Sequence, residues 1–250
     1  MENILGRKGG LTIKDPRELL HQATARLDVH LTDNQLDQFE TYMAMLLDWR
    51  TRFNITTISQ PRQVVLKHFV DSLTTAAFVA SSKSIIDIGT GGGFPGIPLK
   101  IALPHLKVTL LDAASKKVNF LEAVIDALGL SQVTPIHGRA EDLGHKPNHR
   151  EGYDIAISRA VTAMPTLVEY CLPFVRPQGH FIAMKGARPQ EEVDAAATAI
   201  TTLGGACQSI TSLEIPFTDI KHSIIIISKL SHTLPRYPRN ASQIAKRPIM

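Results

Sequence analysis

Two hundred and fifty residues, 44% hydrophobic and 20% charged, suit one large folded domain with an appendage and argue against a disordered chain. The longest aliphatic run is the four residues Ile224 to Ile227, far short of the roughly 20 a membrane-spanning helix needs, so no membrane partner is expected. The net charge of +4 is uneven, because Lys221 to Met250 holds six Lys or Arg and no Asp or Glu, which suggests either attraction to a polyanion or a solvated tail.

Met1 to Lys14 has glycines and charges but no apolar signal-peptide core, so a flexible start over 1–15 is expected. Helical grammar then covers 16–80. Thr32 with Gln35 three positions on fits a capping box. Leu36, Phe39, Met43, Leu46, Leu47 and Phe53 recur at helical spacing, followed by a helix opening at Pro61. From Ser84 short β-branched runs alternate with helix-capable stretches. The runs are Ser84–Ile88, Lys107–Leu111, Val133–His137, Tyr153–Ser158 and His180–Lys185, a βαβ pattern that predicts a mostly parallel sheet covered by helices. Two later runs, Ser212–Pro216 and Ser223–Leu230, are joined by only six residues. That link is too short for a parallel crossover, so a hairpin is predicted, with one late strand antiparallel. The expected fold is α/β, Rossmann-like, with a mostly parallel seven-stranded sheet, a C-terminal antiparallel hairpin and an N-terminal helical extension. The expected divisions are 1–15, 16–80, 81–232 and a basic tail at 233–250, of which Pro235 to Met250 reads as an extended or disordered arm.

The segment Ile85-Ile-Asp-Ile-Gly-Thr-Gly-Gly-Gly-Phe-Pro-Gly96 puts five glycines in eight positions straight after a buried strand. Such a turn lets the backbone approach a ligand, and a helix N-terminus follows it. Gly91, Gly93 and Gly96 satisfy G-x-G-x-x-G, a weak signal that its strand-turn-helix context strengthens. Asp112 ends the next strand, where a carboxylate can accept both ribose hydroxyls of NAD or of S-adenosylmethionine. Three features favour S-adenosylmethionine. Asp87 would repel a pyrophosphate but suits an ammonium, although a strand-end acid bonding loop amides is the bland reading. The hairpin departs from a parallel dinucleotide sheet, and no separate domain for hydride transfer is evident.

The chain resembles the RsmG family, also called glucose-inhibited division protein B, a class I S-adenosylmethionine-dependent methyltransferase family. The resemblance is carried by Asn54-Ile-Thr-Thr-Ile58, His68-Phe-Val-Asp-Ser-Leu73 and Asp87-Ile-Gly-Thr-Gly-Gly-Gly-Phe-Pro-Gly-Ile-Pro98. Leu111-Asp-Ala113, Lys116-Lys-Val118, Gly138-Arg-Ala-Glu141, Ser158-Arg-Ala160, Met184-Lys-Gly186 and Tyr237-Pro-Arg239 extend it. It implies methylation of guanine N7 in small-subunit (16S) ribosomal RNA, with that RNA or the small ribosomal subunit as partner. By motif it implies cofactor contacts at Gly89 and Phe94, an adenosine border at Asp112, Ala113 and Ala114, and Ala140 with Glu141 beside the adenine. Gly91, Gly93 and Asp87 belong to the same cofactor turn. Arg159 would sit where cofactor and target base meet. A monomer in the cytoplasm is expected.

Guanine N7 bears a lone pair and no proton, so direct displacement needs no obligatory general base, and alignment is the main demand. No catalytic side chain is therefore singled out. Arg139, Arg159 and Lys185 each fall at or just past the end of a strand, on the carboxyl edge where open α/β sheets bind ligands. Arg139 and Lys185 are assigned to RNA phosphates, against the alternative of ordinary surface cations. His68 and Asp71, one helical turn apart, either line the pocket mouth or form a surface pair. Pro147 interrupts His145 and His149, so no metal site is expected. Cys171 reads as a small apolar core residue, and two cysteines cannot make a disulfide framework. The competing readings are a methyltransferase for a protein or small molecule, a non-enzymatic ribosome-assembly factor, and a distant NAD-dependent dehydrogenase.

Overall fold

The computed structural model describes residues 14–159, 161–186 and 188–250. Most of the expected flexible start lies outside them. Asp15 does not behave as flexible chain, because its carboxylate accepts from the Arg17 and Glu18 amides and caps the Pro16–Ala25 helix. Thr32 and Gln35 form the predicted capping box on the Asp33–Trp49 helix. That helix buries Leu36, Phe39, Tyr42 and Leu46. Pro61 opens the next helical turn, which runs into a π-helical stretch, Val65–Val70, and a last turn, Asp71–Leu73. Wide π turns re-aim side chains and recur at functional sites. His68 lies within this one.

Seven strands form one sheet: β1 (Ser84–Ile88), β2 (Lys107–Asp112), β3 (Val133–His137), β4 (Tyr153–Arg159), β5 (Val175–Lys185), β6 (Gly205–Glu214) and β7 (Lys221–Lys229). Their order is β3-β2-β1-β4-β5-β7-β6. The first five pair in parallel, and β7 lies antiparallel between β5 and β6. Successive strand residues face opposite sides, so the run Ile224–Ile227 serves both faces. Ile224 and Ile226 join one core with Phe39, Phe69 and Leu110, while Ile225 and Ile227 join another with Leu167, Phe174 and Phe181. The N-terminal helices therefore share a core with one sheet face.

Three expectations shift in detail. β6 begins at Gly205 rather than Ser212; it is a half-solvated edge strand with a bulge between Cys207 and Ser209, and its polar residues hide the alternation. β5 extends back to Val175, before a register irregularity in its pairing with β4. The helix expected over 189–203 breaks at Ala196 into Pro189–Ala195 and Ala197–Thr202.

The tail is docked, not an extended arm. Tyr237 and Ile244 are buried, Asn240 caps the Ala241–Lys246 helix, and Arg239 closes on Glu169 with Nη2–Oε2 at 2.6 Å. Glu169 is fully buried on the Met164–Cys171 helix, and a buried carboxylate demands such a partner. Lys229 also points inward, donating to the carbonyls of Leu172 and Leu203. Two of the six C-terminal cations are thus consumed by the fold.

Candidate functional site

The glycine turn leaves the carboxyl end of β1, and the carboxyl ends of the parallel strands β2 to β5 lie along the same rim of the sheet. Gly89 has φ +70°, and a Cβ built there would stand 2.7 Å from a Val161 methyl carbon. Gly93, at φ +99°, would bring one to 2.7 Å from the Tyr42 hydroxyl. Only glycine suits either position. The Tyr42 hydroxyl donates to the Gly92 carbonyl, and its ring stacks on Phe94 with centroids 5.5 Å apart. An N-terminal helix therefore holds the turn directly.

Two clefts share Gly89. The larger, about 610 Å³, brings together Gly91, Phe94, Arg159, His68, Asp71 and His222, with Lys185 at its wall. The smaller, about 200 Å³, gathers Asp112, Ala113, Arg139, Ala140, Glu141 and Tyr170. Asp87, Gly93 and Ala114 line neither. The Ala114 amide instead donates to Asp112 Oδ1 at 2.9 Å, and the Gly91 amide to Oδ2 at 2.9 Å. Lys117 stands 3.5 Å from the same carboxylate. An ionised carboxylate offers about four acceptor sites, so Asp112 retains capacity for a diol.

Asp87 is fully buried beneath the turn. Its Oδ2 accepts from the Thr90 hydroxyl at 2.6 Å and the Gly96 amide at 2.9 Å, while Oδ1 has no partner among the described residues. Burial pushes its pKa up to about 6, against the two donors that favour the charge. One oxygen thus performs the bland duty of tying the loop, and the other remains.

Arg159 is held on three sides. Nη1 donates to Asp71 Oδ2 at 2.7 Å and to the Lys67 carbonyl at 2.9 Å, and Nη2 to His68 Nδ1 at 3.1 Å. Its guanidinium carbon lies 5.0 Å from the Phe94 ring centroid, and His68 stacks on that ring at 4.4 Å. Burial first, and the Arg159 charge second, lower the His68 pKa to about 4. A neutral ring accepting at Nδ1 carries its proton at Nε2, which meets Thr56 Oγ1 at 2.8 Å. Burial alone would raise Asp71, but hydrogen bonds from His222 and Arg159 and the Arg159 charge hold it below the usual carboxylate range. His68 and Asp71 are therefore joined through Arg159, rather than to each other at the surface.

The other two cations differ. Arg139 is exposed, 3.9 Å from Glu141. Lys185 is mostly buried; its ammonium donates to the Thr162 carbonyl at 2.5 Å and pairs with Glu192 at 3.1 Å, and Glu192 accepts from the Met164 amide. That arrangement straps the loop after β4 and leaves little of Lys185 for a phosphate. His145 bonds the Pro238 carbonyl and His149 the Tyr153 hydroxyl. No metal-binding cluster occurs among the described residues. Cys171 is buried, and burial pushes its thiol well up. No local pattern marked Tyr42, Tyr170 or His222 as site residues. Tyr42 sits unremarked inside an apolar stripe, and His222 reaches the site only through the hairpin.

A parallel sheet with an antiparallel β7, a glycine turn after β1 and an acid closing β2 define the class I S-adenosylmethionine-dependent methyltransferase fold. The structure resembles that of a mutant of MtNAS (TM-score 0.52, 14% identity, 86% of each chain). It also resembles M. jannaschii TYW2 in complex with AdoMet (TM-score 0.50, 16% identity, 65% of this chain and 76% of that one). A family model described as rRNA small subunit methyltransferase G matches residues 35–223. Ribosomal RNA small subunit methyltransferase G of Alkaliphilus metalliredigens is 44% identical over 237 residues, 94% of this chain and 99% of that protein. The protein of the same name from Desulforamulus reducens is 46% identical over 232 residues, 92% and 97% of the two chains. This chain belongs to the rRNA small subunit methyltransferase G family.

Proposed function

We propose that this chain methylates N7 of a guanine in the 16S RNA of the small ribosomal subunit, working as a cytoplasmic monomer. The observation that carries the reading is the Arg159–Asp71 pair in the wall of a cleft that shares Gly89 with the Asp112 subsite. S-adenosylmethionine fits the groups present: a carboxylate with spare acceptor capacity at Asp112 and a glycine cradle, over an Asp87 oxygen left unpaired beneath the turn. Gly89, Gly91, Phe94, Asp112, Ala113, Ala140 and Glu141 would hold it, and Gly93, Ala114 and Asp87 would shape the turn from beneath. When bound, the cofactor supplies an electrophilic methyl group.

The side chains then have to seat and orient the base. A lone cation beside N7 would oppose the positive charge that methylation places on guanine. Asp71 cancels much of the Arg159 charge, so the guanidinium can donate to O6 without that penalty. Water exclusion falls to Phe94 and the stacked His68, and no group needs to accept a proton. Exposed Arg139, with Arg236, Lys246 and Arg247 on the tail, supplies phosphate contacts; Lys185 contributes through the loop it straps. The helical region 16–80 and the segment 233–250 act as the RNA-facing additions to the 81–232 domain.

The test is incubation of the purified protein with methyl-labelled S-adenosylmethionine and undermethylated small subunits, followed by mapping of the label. A single labelled guanine N7 is expected. Label on protein or a small molecule alone would overturn the reading.

A further inference from the structure

His222, at the start of β7, donates from Nδ1 to Asp71 Oδ1 at 2.7 Å, while Arg159 occupies Oδ2 of the same carboxylate at 2.7 Å. Asp71 thus sets two side chains next to each other in the wall of the larger cleft. His222 is 7% exposed, and its Nε2 is a buried atom without a hydrogen-bond partner among the described residues. Buried polar atoms are nearly always satisfied, and one that is not calls for an explanation. The bond from Nδ1 fixes the tautomer, so in the neutral ring Nε2 presents a lone pair. Arg159 spends three of its five N–H groups on Asp71, Lys67 and His68 and keeps others to donate.

A donor beside an acceptor is the complement of one purine edge. Guanine shows the O6 acceptor next to the N1–H donor. Adenine reverses both, with an amino donor next to a bare N1. We propose that His222 is a specificity-determining residue whose Nε2 accepts from guanine N1–H while Arg159 donates to O6, so that the Asp71-organised pair admits guanine and rejects adenine. This rests on the guanine-N7 reading above. The N1–H contact also tightens as the reaction proceeds, because positive charge arriving at N7 makes N1–H a stronger donor. His222 therefore favours the methylated ring over the unmethylated one.

The alternative is that His222 only braces Asp71. The two roles make opposite demands on substitution. In His222→Asn the amide nitrogen can replace Nδ1 against Asp71 but nothing reaches the place of Nε2. In His222→Gln the amide oxygen can accept where Nε2 stood, while the Asp71 contact is lost. The experiment measures single-turnover methyl transfer to undermethylated small subunits at saturating cofactor, with cofactor affinity and melting temperature recorded for each variant. Base reading predicts that His222→Asn slows transfer by about tenfold or more, that His222→Gln recovers part of the loss, and that cofactor affinity stays within about twofold in both. His222→Asn equal to or faster than His222→Gln, or wild-type rates in both, would overturn the proposal. If the wild-type protein labels no rRNA guanine at N7, the function proposed above fails and this inference goes with it. If the wild type labels guanine correctly and the order of the variants is reversed, only the role of His222 fails.

Discussion

Tyr42, on the Asp33–Trp49 helix, donates its hydroxyl to the carbonyl of Gly92 in the turn after β1. The phenol is fully buried, and burial raises its pKa well above normal, so it remains a donor. Tyr42→Phe removes the bond and leaves the carbonyl unpaired at a cost of about 1–3 kcal/mol. A lower melting temperature and a severalfold weaker affinity for S-adenosylhomocysteine are expected, measured by scanning and titration calorimetry. Unchanged affinity would confine Tyr42 to packing.

Arg239 and Glu169 lead to a second prediction. Arg239→Ala strands a fully buried carboxylate, a change that typically costs about 3–5 kcal/mol. Deleting 235–250 also uncovers the surfaces under Tyr237 and Ile244. Both variants should unfold at lower urea concentration than wild type. A deletion that retained full stability and lost only RNA methylation would show that docking of the tail is energetically idle.

The acid side of the stability profile should carry two opposed contributions. Asp87 has its pKa raised from 3.8 to about 6, so its contribution is greatest below pH 3.8 and is lost as pH rises through 6. His68 has its pKa lowered from 6.5 to about 4, so its contribution is present above pH 6.5 and is lost as pH falls through 4. Each shift corresponds to about 3 kcal/mol, and between pH 4 and 6 they offset one another. Relative to wild type, Asp87→Asn should gain stability as pH rises across that window, and His68→Asn should lose it. Denaturant melts at half-unit pH steps check both signs; parallel curves for the three proteins would contradict the assignment.

Arg139 and Lys185 should now behave differently. Arg139→Ala is expected to weaken RNA binding and reduce the slope of log affinity against log salt by about 1, with cofactor affinity unchanged. Lys185→Ala removes the strap between Thr162 and Glu192, so lower stability and slower transfer are expected with little change in salt slope. Filter binding over a salt series separates the two.

Much of this was legible from local pattern. Thr32 and Gln35 announced their helix through two side chains in one turn, and the run Ser84–Ile88 ended at glycines where the strand had to stop. Asp112 could be placed because a fixed spacing from Gly89 puts it on the same sheet rim. Long-range satisfaction was not legible. Nothing near Lys185 says that Glu192 will take its charge, and nothing near Arg239 says that a carboxylate lies buried on a distant helix. The tail reads as extended for that reason: its prolines advertise extension, while Tyr237, Arg239 and Ile244 act only against a surface formed elsewhere. His222 was missed on the same account, since an imidazole at the head of a strand becomes informative only once Asp71 stands opposite.

The late strand β7 occupies a slot between β5 and β6 although it is made after both. Until it arrives, one flank of β5 is bare, and an unpaired strand flank is a template for a foreign chain. Variants that slow closure of the hairpin should therefore fail first as insoluble nascent protein, at warm growth temperatures and high expression, before any folded molecule shows impaired chemistry.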